Sequence, residues 1–173
     1  MGKYATSAPK NLTATNDEFA QATLGELVYD SKNRKGYMYV QFDNGAGNVA
    51  SAANALAYWK TAASFIATSD LTDAPSATGA NDANFVAGVF TGVVTDQYYT
   101  FIQVDGRVSA LKTDAGDDIV FGDLLIADPT TDGTVDSVAA GTASTHLIVG
   151  VANAADVDAD DTVDCLLKLG YQF

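Results

Sequence analysis

Apolar and polar residues alternate in short runs along this chain, and the clearest of these runs flank an Asp-Gly pair. The stretch Tyr98 to Thr113, YYTFIQVDGRVSALKT, reads as two strands joined at Asp105-Gly106, the strongest short hairpin signal in a sequence. A two-residue turn there sets Ile102 opposite Ser109 and Gln103 opposite Val108. One face then carries Tyr99, Phe101, Val108 and Ala110, and the other Tyr98, Ile102, Val104 and Leu111. Neither face is polar, so the pattern predicts strands covered on both sides.

The same grammar runs through most of the chain. Leu24 to Tyr29 and Gly36 to Phe42 predict a hairpin around the Asp30 to Lys35 turn, and LAYW and SFIATSD predict two more strands on either side of Lys60 to Ala63. After Asn84, NFVAGVFTGVV, IVFGDLLIAD, THLIVGVA and TVDCLLKL follow at regular spacing. Gly88, Gly92, Gly122 and Gly150 interrupt them, which suits bulges and barrel corners. In the last strand Val163, Cys165, Leu167 and Leu169 point inward, Asp164 and Lys168 point outward, and Leu166 is the exception. Val49, Ala52, Ala53 and Leu56 fall at helical spacing behind Asn48 as a possible cap. The predicted fold is therefore all-β: a small, glycine-punctuated β-barrel or sandwich with at most one short helix. Residues 1–22 lack either periodicity and predict an extended N-terminal arm, ordered only by what it lies on. Residues 23–173 form the β-rich domain, with the loop at 71–84 as a boundary between two possible subdomains whose strands share one sheet system.

Charge adds a polarity to this picture. The chain of 173 residues has a net charge of -13, yet residues 1–60 are net +1 and residues 61–173 are net -14. Such a body does not bind nucleic acid, because phosphates require the opposite sign. Of the 22 acidic residues 20 are Asp, a turn and cap residue, so the acids are expected in loops between strands. No run of apolar residues is long enough to predict a membrane span and no signal segment is visible; Met1-Gly2 with Thr6 matches the short N-myristoylation pattern by coincidence.

Candidate chemistry is sparse. His146 is the only histidine and Cys165 the only cysteine; a Cys165–His146 pair is conceivable, but Cys165 at an inward position reads as a small buried hydrophobe. No nucleophile elbow, phosphate loop or zinc-binding helix motif is present. Asp156, Asp158 and Asp160 keep part of a calcium-loop spacing, with Asp161 where glycine is needed and Leu167 in place of the bidentate Glu. A second near match at Asp128, Thr130 and Asp132-Gly133 has Ala139 at its last position. Both read as solvated loops, so no catalytic, cofactor or metal site is predicted. The aromatics Tyr37, Tyr39, Tyr58, Trp59, Tyr98 and Tyr99 fall in predicted strands, where packing is their ordinary use.

The succession AYWKTAASFIATSD, FVAGVFTGVVTDQYYTFIQVDGRVSALKT, GDLLIAD, IVGVA and VDCLLKL resembles the head-decoration, or capsid-cement, proteins of tailed bacteriophages over roughly Leu56 to Leu169. The resemblance implies a non-enzymatic virion protein on the outer surface of the head. It would bind the major capsid protein, assemble as a homotrimer, clamp neighbouring capsomers, and use neither nucleic acid, membrane nor cofactor. Lys3, Tyr4, Pro9, Lys10 and Leu12 of the arm would then contact the capsid, and removing Met1 to Gln21 would abolish that contact and leave a folded oligomer. Other readings of the same sequence are a tail, fibre or spike component, a shell protein of a non-viral compartment, and a carbohydrate- or calcium-binding β module.

Overall fold

A computed structural model describes residues 12, 16–45, 50–74, 85–114, 118–138, 147–156 and 161–169. Its ten strands are β1 (Leu27–Asp30), β2 (Lys35–Phe42), β3 (Leu56–Thr61), β4 (Ile66–Thr68), β5 (Val86–Phe90), β6 (Tyr99–Lys112), β7 (Leu124–Ala127), β8 (Val135–Val138), β9 (Ile148–Ala152) and β10 (Thr162–Lys168). They form a single sheet in the order β1-β2-β4-β3-β5-β6-β10-β9-β7-β8, and β2 also pairs with β6. That extra pairing closes β2, β4, β3, β5 and β6 into a barrel. Strand β1 pairs only with β2, whereas β10, β9, β7 and β8 curl away from the far half of β6, and a bridge between Thr113 and Val135 brings β8 back to its end. The all-β expectation is met, and strands on both sides of the 71–84 loop share the sheet.

Three apolar clusters follow from this path. The barrel interior holds Val40, Phe42, Trp59, Phe90, Ile102 and Val104. The curl of β6 to β10 encloses Val108, Leu111, Leu125, Val149, Val163, Cys165 and Leu167, and it packs on Leu56, Tyr58, Val86 and Val89 from β3 and β5. On the outside of β2 and β6, Tyr37, Tyr39 and Phe101 are covered by Leu12, Ala22 and Leu24. The double coverage expected for the central stretch is therefore real: Tyr99 and Phe101 face one cluster while Ile102 and Val104 face another.

The hairpin at Asp105-Gly106 does not form. β6 runs through both residues without turning, pairing with β2 from Tyr99 to Asp105 and with β10 from Asp105 to Lys112. A bulge sits just before the Asp-Gly pair instead: Gly36 pairs Asp105 and Tyr37 pairs Gln103, leaving Val104 as the extra residue. Gly106 takes φ +89, and a Cβ there would lie 2.3 Å from the Arg34 carbonyl oxygen. The buried Gln103 side chain clips the bend, its Nε2 donating to the carbonyls of Asp105 (3.1 Å) and Arg107 (3.0 Å). Local turn chemistry loses here because both halves of the strand find long partners on opposite sides.

Other departures are smaller. The predicted helix falls partly on residues 46–49, outside the described residues; residues 50–55 are not helical, Asn54 takes φ 59, and Leu56 opens β3 against Val89. Strand β8 carries no alternation that would announce it, since Asp136 and Ser137 separate its two valines; pairing with β7 makes it a strand. The bulges expected at Gly88 and Gly150 are present as register shifts in β3–β5 and β7–β9.

If the bend in β6 holds the two halves together, Gly106→Ala should cost about 3 kcal/mol of unfolding free energy through strain and backbone overlap. Gln103→Leu should cost about 2 kcal/mol by stranding two carbonyls. Urea denaturation at neutral pH reads both.

Candidate functional site

Among the described residues, a cleft of about 550 Å³ lies between the loop after β2, the segment before β3, the turn after β4 and the β7–β8 turn. Asn44, Ala52, Ala55, Asp70, Asp73, Lys112, Asp132 and Gly133 are among its lining residues. Asp residues lead here because each of these loops needs a short side chain to cap its own backbone. Asp70 accepts from the N–H (2.8 Å) and hydroxyl (2.6 Å) of Thr72, which starts the 3-10 turn Leu71–Asp73. Asp132 accepts from the Leu71 N–H at 2.9 Å. Asp73 pairs with Lys60 at 3.2 Å, and Asp43 holds the same ammonium at 3.0 Å.

That triad is tuned toward charge. Burial pushes the Asp43 carboxyl upward, but the Gly45 N–H and Lys60 more than offset it and hold it below the usual carboxylate value. Burial likewise pulls Lys60 down while Asp43 and Asp73 raise it above its ordinary value. A lysine held protonated in this way is an ion-pair partner and not a nucleophile. Among the described residues lining it, the carboxylates Asp70, Asp73 and Asp132 are already engaged and none is aromatic.

The predicted site residues scatter. Lys3, Tyr4, Pro9 and Lys10 lie outside the described residues, as do His146, Asp158 and Asp160. Leu12 is buried against its own β2 and β6, where its carbonyl accepts from the Thr91 hydroxyl, so it is a core residue and not a free contact. The segment after it is part of the body too: Asn16 bonds Thr95, Asp17 bridges Tyr99, and the Gln21 N–H donates to the Tyr39 hydroxyl at 3.0 Å. Nothing in residues 16–22 shows strand or helix periodicity, and they lie down because the aromatic outer face of β2 and β6 and the backbone at Tyr99 receive them. Burial raises the Tyr39 phenol, consistent with a structural anchor.

The near-calcium loop at Asp128 is consumed by its own turn: its carboxylate accepts from the N–H and hydroxyl of Thr130, the Thr131 N–H and the Thr134 hydroxyl. Among the described residues no group of three His, Cys, Asp or Glu is placed to hold a metal ion. Of the strand aromatics singled out in the sequence, Tyr37, Tyr39, Tyr58 and Trp59 are buried and Tyr98 and Tyr99 are half-buried. Cys165 sits in the core of the curl, where burial pushes its thiol up to about 12. No protein-family model, curated protein or solved structure matches this chain.

Two outcomes follow. Native protein at pH 8 should leave Cys165 unmodified by a thiol reagent, with full labelling in denaturant. The Lys60 triad should contribute a flat stability between about pH 5 and 9. The Asp43 part, with its folded value depressed, is lost as pH falls through that value; the Lys60 part, with its folded value raised, is lost as pH rises through its own. Lys60→Met should cost about 1–2 kcal/mol at neutral pH and shrink the stability lost on acidification, read by urea melts at both pH values.

Proposed function

We propose that this chain is a non-enzymatic decoration protein of a tailed-bacteriophage head, bound to the outer surface of the shell and bracing neighbouring capsomers. The observation that carries the reading is how the polar side chains of the described body are used. Asp70 and Asp128 cap turns, Asp43 and Asp73 close ion pairs, Tyr37, Tyr39, Tyr58 and Trp59 pack, and the one thiol is core. What remains for function is a rigid, acidic surface, together with the sequence resemblance over Leu56 to Leu169. A doubly cored β body of this kind suits a protein that works by being stiff and by presenting surfaces.

The body also redraws where the arm begins. Leu12 and residues 16–22 pack on the body, so in this reading the shell contacts are Lys3, Tyr4, Pro9 and Lys10, which precede them in the sequence. Removing Met1 to Gln21, as the sequence suggested, would take Leu12 from the cover of Tyr37, Tyr39 and Phe101, together with the Asp17 and Gln21 backbone contacts, and so destabilise the body itself.

Quantitative mass spectrometry of purified particles tests the proposal, with a copy number comparable to that of the major shell protein as the expected result. Absence from particles overturns it, and a handful of copies moves the protein to the tail or a vertex. Deleting Met1 to Asn11 should leave the melting temperature within a few degrees of the full chain and abolish co-sedimentation with shells lacking the protein.

A further inference from the structure

Asn44-Gly45 is the only Asn-Gly step in the chain. With no Cβ on the second residue, the Gly45 nitrogen can reach the Asn44 side-chain carbonyl carbon and close a five-membered ring, which makes such a step labile even in an unfolded chain. In the fold a base and two hydrogen-bond donors surround it. The Gly45 N–H donates to Oδ1 of Asp43 at 2.8 Å, so a carboxylate stands at the proton that has to leave. Oδ1 of Asn44, where negative charge would develop, accepts from the hydroxyls of Thr68 and Ser69, each at 3.0 Å.

Each of these contacts is held from behind. The same Asp43 oxygen accepts from Nζ of Lys60 at 3.0 Å, an ion pair that keeps the carboxylate charged. Thr68 is fully buried, and its oxygen accepts from the Asp70 N–H at 3.1 Å, which turns its own hydrogen toward Asn44. The Asn44 N–H donates to Asp96 at 2.7 Å, and Gly45 takes φ +67, so the backbone is fixed on both sides of the step. Asn44 and Ser69 line the cleft, which gives water a way in.

We propose that Asn44 is a self-modification site: the folded chain converts it, through a cyclic imide with Gly45, to aspartate and isoaspartate. Asp43 takes the Gly45 proton as the Gly45 nitrogen bonds to Cγ of Asn44, and the Thr68 and Ser69 hydroxyls hold the oxyanion on Oδ1. Collapse breaks the Cγ–Nδ2 bond, and the departing nitrogen recovers the proton from Asp43 and leaves as ammonia. Water from the cleft then opens the imide at one or the other of its two carbonyls. The result is a single, irreversible gain of negative charge beside Asp43 and Asp96, in a cleft that Asp70 and Asp73 also line.

Peptide mapping of the full chain by mass spectrometry, after incubation at several pH values and digestion in acid, reads the exchange of amide for acid at position 44. An unassisted Asn-Gly step relies on hydroxide and speeds up about tenfold per pH unit, whereas one served by an ionised Asp43 keeps a flat rate from about pH 5 to 8. At pH 6 the folded chain should react about tenfold faster, or more, than the same chain in guanidinium chloride. Ser69→Ala and Thr68→Val, with folding checked by circular dichroism, should each slow the folded chain about tenfold or more. Asp43→Asn should bring back the climb with pH. A folded rate at or below the unfolded one, a folded rate that climbs with hydroxide, or a rate indifferent to both hydroxyl substitutions overturns the proposal. None of these outcomes depends on whether the protein binds a phage head.

Discussion

The fold depends on one strand serving two enclosures. The first half of β6 closes a barrel with β2 and β5, and the second half starts the curl that runs through β10, β9, β7 and β8. A strand can do this only if it bends sharply without losing its ladder. Gly106 supplies a backbone conformation open to glycine, close against the Arg34 carbonyl, and Gln103 satisfies the carbonyls that the bend exposes. A second irregularity at Ala110, with φ 59, is held from outside by the Asp164 carboxylate, which accepts from the Ala110 N–H and pairs with Arg107. Both irregularities increase the twist of β6 and let it present residues to three separate apolar clusters.

The polar residues serve this geometry. A chain of short, bent strands has many turns, and each turn leaves backbone N–H groups that need an acceptor close at hand. Asp meets that need at Asp30, Asp43, Asp70 and Asp128, where a carboxylate accepts from an N–H two residues on. No described buried side-chain nitrogen or oxygen lacks a partner. The strong acidity is thus in good part a by-product of turn construction.

Much of this was legible beforehand. The strand positions from β1 to β10 other than β8, the inward set Val163, Cys165 and Leu167, the exposed Leu166 and the packing of the tyrosines all follow from alternation and side-chain size. These are properties of neighbouring residues, and a sequence displays them directly. The cleft was not foreseen, because Asn44, Asp70, Lys112 and Asp132 come from segments far apart in the chain and none of them stands in a motif.

By itself the sequence determined the strand content, the loop placement of the acids and the dearth of catalytic motifs, since each rests on local propensity and composition. Tertiary structure alone decided that Asp105-Gly106 bends a strand and does not reverse it, that Leu12 and residues 16–22 lie on the barrel, and that Leu124, Val151 and Leu166 share one face. The physical reason is the same in all three: each outcome is fixed by which distant strand offers the better partner, and a local pattern carries no record of that competition.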